Sequence, residues 1–182
     1  TEFYTEPRLV VHIDDATIEA VRAYLGEVLP PDGVVLDLMS AWRSHLPHDF
    51  AGRVVGLGMN KVELDQNPQL TAGVVHDLNA KPVMPLPDEG FDAAYVAVSV
   101  QYMTQPVEIF SDVRRVLKPG GVFHVIFSTR MFPTKAVAIW QAMTQPQKRG
   151  ELIGAYFGAS GGWSQPEFLD RTADLYADPV YI

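Results

Sequence analysis

The residues whose types and spacing point most directly to chemistry surround the apolar run Val34–Leu38. Asp37 stands near the end of this run, and Met39, Ser40 and Ala41 follow it. An acidic residue at the end of a buried strand, followed by a tight turn, is how doubly wound α/β folds present a ligand. Side chains occupy a turn where glycines would be expected, and glycine is what lets a ligand approach the backbone closely. The sequence therefore predicts a ligand site with an altered turn.

Further candidates follow the other predicted strands. Parallel strands joined through helices leave their functional loops at one edge of the sheet, so residues just after strands are candidates for the same site. These candidates are Gly58, Met59 and Asn60 after the second strand, Asp77 and Leu78 after the third, and Ser99 and Tyr102 after the fourth. Structural roles are also open, since Asp37 and Asp77 can cap turns and Gly58 can serve close strand packing.

Two histidines, His45 and His48, are three residues apart, with Asp49 beside the second. Two imidazoles and a carboxylate can form a metal triad. Here Pro47 disrupts the regular geometry, and the acid is too close in sequence to be a comfortable third ligand. We therefore expect no metal site.

The composition excludes several classes of function. A chain of 182 residues with 47% hydrophobic and 20% charged residues has the size and composition of a soluble globular protein, and one domain is expected over 1–182. Because the chain has no cysteine, a disulfide, a thiolate zinc site and a cysteine nucleophile are excluded. The net charge of -8 argues against a nucleic-acid partner, which needs clustered Lys and Arg. A small or neutral substrate fits better.

The hydropathy pattern also bears on location. The longest apolar runs, such as 93–100, are about strand length, so no segment is expected to span a membrane. Residues 1–8 have neither a basic start nor an apolar stretch, so no secretory signal is expected there. A cytoplasmic location is the simplest expectation.

Strand patterns alternate with helix patterns along the chain. Asp14 or Asp15 is suited to cap a first helix, which the turn residues at 30–33 end. The further elements predicted are strands at 34–38, 53–57, 73–75, 93–100 and 122–127, helices near 62–67, 106–117, 136–143 and 148–157, and a closing strand pair at 168–171 and 180–182. This pattern predicts an α/β fold, a doubly wound three-layer sandwich around a mostly parallel seven-stranded sheet with a C-terminal antiparallel strand.

Several segments resemble the S-adenosylmethionine-dependent methyltransferase superfamily. The string Val-Arg-Arg-Val-Leu-Lys-Pro-Gly-Gly-Val-Phe at 113–123 looks like the closing half of that superfamily's core. Two further segments agree with that core in order and spacing: the first strand, and residues 86–92, which comprise a loop and the beginning of a strand. More narrowly, the motifs at 37–40, 44–47 and 130–136 are similar to a branch of methyltransferase-like proteins with altered cofactor motifs.

The resemblance implies a Rossmann-like methyltransferase fold in three stretches of chain. These are an N-terminal helical extension at 1–29, a cofactor-binding core at 30–130, and C-terminal helices with the closing strand pair at 131–182. It also implies transfer of a methyl group from S-adenosylmethionine to a small-molecule oxygen, nitrogen or carbon acceptor.

The resemblance also assigns roles to the first two strand ends. In such enzymes the first-strand acid and the turn, here Asp37 and 39–41, approach the methionine part of the cofactor. The position that supplies an acid to the ribose hydroxyls is Gly58, beside Met59, so that acceptor is missing here. Asn60 offers a weaker substitute, with one side-chain acceptor and a donor.

The later strand ends complete the implied site. Asp77 matches the position that contacts the adenine amino group, and the amide of Leu78 lies beside it. Ser99 and Tyr102 would lie under the sulfonium, near the incoming acceptor. Tyr102 or His45 would act as the base if the acceptor needs one.

Two alternatives remain open at this point. The glycine turn and the ribose acid, which the sequence presents as independent parts of one site, are both lost, and this also fits a non-catalytic descendant that binds another ligand or a protein. An enzyme with a different nucleotide or a modified donor would suit the same fold. A cleft blocked by Met39 or Trp42 would favour the first alternative, whereas an open cleft lined by Asp77 and Ser99 would count against it.

Overall fold

The computed structural model describes residues 13–174 and 176–182 of the chain. The strands are β1 (Val34–Leu38), β2 (Arg53–Gly58), β3 (Ala72–Val75), β4 (Phe91–Ala97), β5 (Leu117–Ser128) and β6 (Val180–Tyr181). The helices are α1 (Asp15–Val28), α2 (Lys61–Asp65), α3 (Pro106–Val116), α4 (Ala138–Ala142) and α5 (Pro146–Ser160), with a 3-10 turn at Val100–Tyr102. No helix within the described ranges is long and apolar enough to cross a membrane.

The strands form one sheet in the order β3-β2-β1-β4-β5-β6. All neighbouring pairs are parallel except β5 with β6, which confirms the prediction of a mostly parallel sheet with an antiparallel C-terminal strand. From β1 the chain passes to β2 on one side and returns through β3 to β4 on the other. The strand order therefore reverses at β1, and the crevice beyond the carboxyl ends of β1 and β4 is where such sheets bind ligands.

Alternation along the strands separates the core into two clusters. Val35 of β1 packs with Tyr24 and Leu25 of α1, whereas the next residue, Leu36, packs in a second cluster with Phe110 of α3. Successive side chains of a strand point to opposite faces, so β1 is covered on both sides as its unbroken apolar pattern predicts.

The N-terminal part of the fold begins as predicted. The carboxylate of Asp14 accepts the Thr17 amide at 2.7 Å and caps α1. Residues 1–12, which include the segment judged to lack a secretory signal and most of the predicted extension before α1, lie outside the described residues.

The sheet has six strands in the described part, one fewer than the seven predicted. The segment expected to form the seventh strand does pair with β6, through an isolated bridge between Asp170 and Tyr181. The flanking backbone bonds are Leu169 N–H to the Ile182 carbonyl, Ile182 N–H to the Leu169 carbonyl, and Arg171 N–H to the Val180 carbonyl. The contact is a single bridge and does not extend into a strand.

The predicted fourth strand was also too long at its end. It was expected to reach Val100, but β4 ends at Ala97 because Val98 has a backbone φ of 49°. A β-branched residue at positive φ is a marked outlier, and it turns the chain out of the sheet. The turn at Val98 thereby creates the loop that the functional site requires.

Candidate functional site

A cleft of about 390 Å³ opens at the carboxyl ends of the parallel strands. This volume lies within the range of small-molecule sites. The cleft is lined by every residue predicted to contact a cofactor: Asp37, Met39, Ser40, Ala41, Gly58, Met59, Asn60, Asp77, Leu78 and Ser99. Both candidate bases, His45 and Tyr102, line it as well. The structure thus brings the predicted residues together, while their individual contacts with a cofactor stay predictions.

Asp37 organises the turn above it. Its carboxyl group is only 3% exposed, and one of its oxygens, Oδ2, accepts the hydroxyls of Ser40 and Ser44, both at 2.6 Å. The Tyr95 hydroxyl donates to the Ser44 carbonyl at 3.0 Å in the same buried group. Burial raises the Asp37 pKa to about 6, and hydrogen bonds from Ser40, Ser44 and Tyr95 oppose that rise. The hydroxyls of Ser40 and Ser44 therefore tie the turn after β1 to the Asp37 carboxylate.

Ser44 is a site residue that the sequence did not reveal. Its hydroxyl also accepts the side-chain amide of Asn67 at 2.8 Å, and the same amide donates to the Ala41 carbonyl at 2.9 Å. Asn67 is buried and follows α2 in the chain. The two ends of the turn are thus fixed by a polar network that includes a residue from the loop beyond α2.

The turn itself is held against β2. Met39 takes a left-handed conformation with φ of 56°, the conformation for which glycine is the natural residue. Ser40 then donates its amide to the Leu57 carbonyl at 2.8 Å. The backbone therefore still makes a tight turn after β1 without glycine, and Met39 is strained as a result.

Gly58 has no room for a side chain. A Cβ at this position would overlap the carbonyl oxygen of Ser40, well inside van der Waals contact. The turn therefore occupies the space into which an acid at position 58 would project. The altered turn and the missing acid, which the sequence presents as independent, are one structural feature.

The next loop offers two polar side chains to the cleft. Asn60 caps α2, since its side-chain oxygen accepts the amides of Val62 at 2.9 Å and Glu63 at 3.2 Å. This capping role competes with the predicted contact of that oxygen with a hydroxyl. Glu63, in the first turn of α2, is half-buried and lines the cleft. Sequence analysis missed Glu63, although an acid three residues after a capping Asn is a recognisable helix start.

Asp77 and Asn79 shape the wall formed by the loop after β3. One oxygen of Asp77 accepts the amide of Asn79 at 2.9 Å and that of Ala80 at 3.3 Å, so Asp77 caps this turn. The Asn79 side chain then donates to the Tyr102 carbonyl at 2.9 Å and accepts the Thr104 amide at 2.8 Å. Asn79 therefore joins the loops after β3 and β4 and sets their separation.

The loop after β4 carries another strained residue of the cleft. Val98, at φ of 49°, donates its amide to the Ile126 carbonyl of β5 at 2.8 Å. The Ser99 hydroxyl donates to the Ala97 carbonyl at 3.0 Å. The hydroxyl oxygen of Tyr102 accepts the Phe132 amide at 2.9 Å. That hydroxyl is fixed in place by the loop after β5, and its own proton can still be donated.

His45 lies beside the turn, also at positive φ (56°). Burial, with the positive charges of Arg22 and Arg43, lowers its pKa to about 4. The imidazole is therefore neutral at physiological pH but a weak proton acceptor. Among residues 13–174 and 176–182, no group of three histidine or acidic side chains is arranged to hold a metal ion.

Two arginines of the described residues, Arg43 and Arg130, also line the cleft. Arg43 stacks on the Trp42 ring, with its guanidinium carbon 4.4 Å from the ring centroid. Arg130 forms an ion pair with Asp178 at 2.7 Å. Trp42 and Met39 both line the cleft, which keeps a volume of about 390 Å³ among the described residues.

Comparison with known proteins relates this site to a family. Residues 40–125 match the sequence profile of a methyltransferase domain. Methyltransferase phqN from Penicillium fellutanum is 37% identical over 83 residues, covering 42% of this chain and 26% of that protein. The chain spans between 11% and 26% of the length of the curated relatives it matches.

Solved structures show the same fold at low identity. A S-adenosylmethionine-dependent methyltransferase from Aquifex aeolicus superimposes with a TM-score of 0.58 at 14% identity, covering 92% of this chain and 97% of that one. The cyclase SpnF superimposes with a TM-score of 0.63 at 21% identity, covering 84% of this chain and 59% of that one. These likenesses establish the methyltransferase fold.

Proposed function

Because this chain belongs to the S-adenosylmethionine-dependent methyltransferase superfamily, we propose that it transfers a methyl group from S-adenosylmethionine to a small-molecule acceptor. The observation that carries this proposal is the open cleft at the reversal of strand order, which brings the predicted cofactor residues together around about 390 Å³. Its remaining walls include Trp42, Tyr102 and Phe132, which suit an apolar acceptor of modest size.

The residues present fit the cofactor in part and differ from the superfamily pattern at the ribose. When bound, S-adenosylmethionine supplies an already activated methyl group on its sulfonium, so the protein has mainly to position the reactants and exclude water. Asp77 and the backbone of Leu78 would contact the adenine, and the turn at 39–41 the methionine part. Ser99 and Tyr102 would lie near the acceptor.

Glu63 is the side chain best placed to replace the missing ribose acid. The carboxylates that line the cleft within the described residues are Asp37, Glu63 and Asp77. Asp37 lies at the end of β1 and Asp77 lies after β3, whereas Glu63 is the one of these three that follows β2, the strand that ends at Gly58. Glu63 stands on α2, which directly follows β2, and a carboxylate can accept hydrogen bonds from two neighbouring hydroxyls. We therefore assign the ribose hydroxyls to Glu63.

Replacing Glu63 by glutamine is expected to weaken binding of S-adenosylhomocysteine about tenfold. A charge-assisted hydrogen bond contributes roughly 1.5–3 kcal/mol, and exposure at the cleft reduces that contribution. Isothermal titration of wild type and E63Q measures the change. The matched control is D65N on the same helix, because Asp65 is exposed and pairs with Lys61. Equal affinities for wild type and E63Q would rule out this role for Glu63.

Methyl transfer itself is tested with a labelled donor. The protein is incubated with S-adenosylmethionine carrying a deuterated methyl group and a panel of apolar alcohols, amines and phenols, followed by mass spectrometry. A labelled product together with release of S-adenosylhomocysteine is expected. A protein that binds the donor but yields neither product with any acceptor would contradict the proposal and favour the second candidate.

The second candidate is a non-catalytic protein that uses the same cleft for another ligand or a partner protein. It is favoured by the weakness of both base candidates, since the His45 pKa is lowered to about 4 and the Tyr102 oxygen already accepts the Phe132 amide. A methyltransferase fold alone does not fix the reaction. The same cleft would also suit an enzyme that uses a different nucleotide or a modified donor. Titration with adenine nucleotides would distinguish that enzyme from one that uses S-adenosylmethionine.

A further inference from the structure

Arg43 is a cationic side chain in the cleft to which the proposed chemistry gives no role. It follows the turn after β1, is exposed, and lines the cleft. Its guanidinium stacks on the Trp42 ring at 4.4 Å. Stacking on an aromatic face orients the planar guanidinium and leaves the N–H groups along its edge available for an acceptor.

The neighbouring arginines differ from Arg43 in their partners. Arg130 pairs with Asp178, and Arg22 pairs with Glu19 while also donating to the Leu46 carbonyl. Within residues 13–174 and 176–182, Arg43 has no carboxylate partner. A guanidinium fork that meets no acid within these residues is complementary to a carboxylate from a ligand.

The surroundings of Arg43 favour a negative charge. Burial is the main reason that the His45 pKa is lowered, and the positive charges of Arg22 and Arg43 near this part of the cleft lower it further. The chain as a whole carries a net charge of -8, so anions are not attracted to its surface in general. A local cation is therefore needed to bind an anionic ligand here.

We propose that Arg43, oriented by Trp42, forms a carboxylate-binding site in the cleft. The carboxylate has two possible sources, the amino-acid part of the cofactor or an acidic group on the acceptor. The first source rests on the proposed function, whereas the second can be tested without it. A planar carboxylate matches the guanidinium edge with two parallel hydrogen bonds.

The test compares ligands that differ only in this group. Wild type and R43Q are titrated with S-adenosylhomocysteine and with 5′-methylthioadenosine, which lacks the amino-acid carboxylate. Both proteins are then titrated with benzoate and with neutral benzamide, in the absence and presence of S-adenosylhomocysteine. R53Q is the matched control, because Arg53 is exposed at the start of β2, away from the carboxyl ends of the strands.

If the cofactor supplies the carboxylate, R43Q binds S-adenosylhomocysteine about tenfold more weakly and 5′-methylthioadenosine unchanged. If the acceptor supplies the carboxylate, both nucleosides bind R43Q as tightly as they bind wild type. Benzoate then binds R43Q about tenfold more weakly than it binds wild type, and benzamide binds both proteins weakly. Equal binding of every ligand by wild type and R43Q overturns the proposal. Equal losses for charged and neutral ligands also overturn it, since they indicate a packing role.

Failure of the proposed function is distinguishable from failure of this site. A wild-type protein that binds neither nucleoside contradicts the cofactor assignment. The comparison of benzoate with benzamide then decides alone whether Arg43 binds a carboxylate.

Discussion

Introducing the superfamily acid by Gly58→Asp is expected to abolish S-adenosylhomocysteine binding and to lower the free energy of unfolding by about 3 kcal/mol or more. A Cβ at this position overlaps the Ser40 carbonyl. Ser40 cannot easily move away, because its amide bonds to Leu57 and its hydroxyl to the buried Asp37. Overpacking alone typically costs about 1–3 kcal/mol, and loss of these hydrogen bonds adds to it.

Urea denaturation and isothermal titration of G58D measure both effects. Gly158→Asp is a matched control, since a Cβ at Gly158 meets nothing within 4 Å. The control is expected to stay within about 1 kcal/mol of wild type. A G58D protein that is as stable as wild type and binds the nucleoside more tightly would show that the turn and position 58 are not coupled.

Asp37→Asn is expected to make the protein more stable than wild type above pH 6, by about 1–3 kcal/mol at pH 8. Burial raises the Asp37 pKa from 3.8 to about 6 in the folded protein. Between these values the folded state holds a proton that the unfolded state has released, so wild-type stability falls as the pH rises through this window. Each unit of pKa shift corresponds to about 1.4 kcal/mol, and asparagine avoids the cost of a buried charge.

Asparagine keeps an oxygen that can accept the hydroxyls of Ser40 and Ser44. Asp37→Ala serves as the contrasting variant, because it leaves both buried hydroxyls without that acceptor and should be less stable than wild type at every pH. Unfolding free energies of the three proteins between pH 4 and 8 test this account. Parallel pH profiles for wild type and D37N would mean that Asp37 does not titrate in this range.

Features set by short stretches of sequence could be predicted. The cap of α1 at Asp14 or Asp15 and the β-branched strand β1 depend on neighbouring residues. The structure confirms both and places the cap at Asp14. The gathering of Asp37, Asp77 and Ser99 around one cleft followed from the rule that parallel strands present their ends at one edge.

Features that depend on contacts across the sheet could not be predicted. Parallel pairing places Asp37 beside Gly56 and Leu38 beside Leu57, and this register brings the Ser40 carbonyl against Gly58. The hydrogen bond between Ser44 and Asp37 likewise requires the folded turn. The left-handed backbone at Val98 also has no local signal, because its residue type disfavours that conformation.

This coupling changes how the two departures from the superfamily pattern are interpreted. Two separate losses in one site would suggest the decay of an unused function. A turn that fills the space of the missing acid, supported by Asp37, Ser44 and Asn67, is instead an ordered alternative. The open cleft beside it, with Glu63 on its wall, is consistent with a cofactor site that has been rearranged.

The most direct test of this account is isothermal titration of the wild-type protein with S-adenosylmethionine and S-adenosylhomocysteine. We predict micromolar dissociation constants for both, accompanied by a rise in the thermal unfolding midpoint. The absence of both heat and thermal shift at millimolar ligand would contradict the account, and the cleft would then belong to a different ligand or a partner protein.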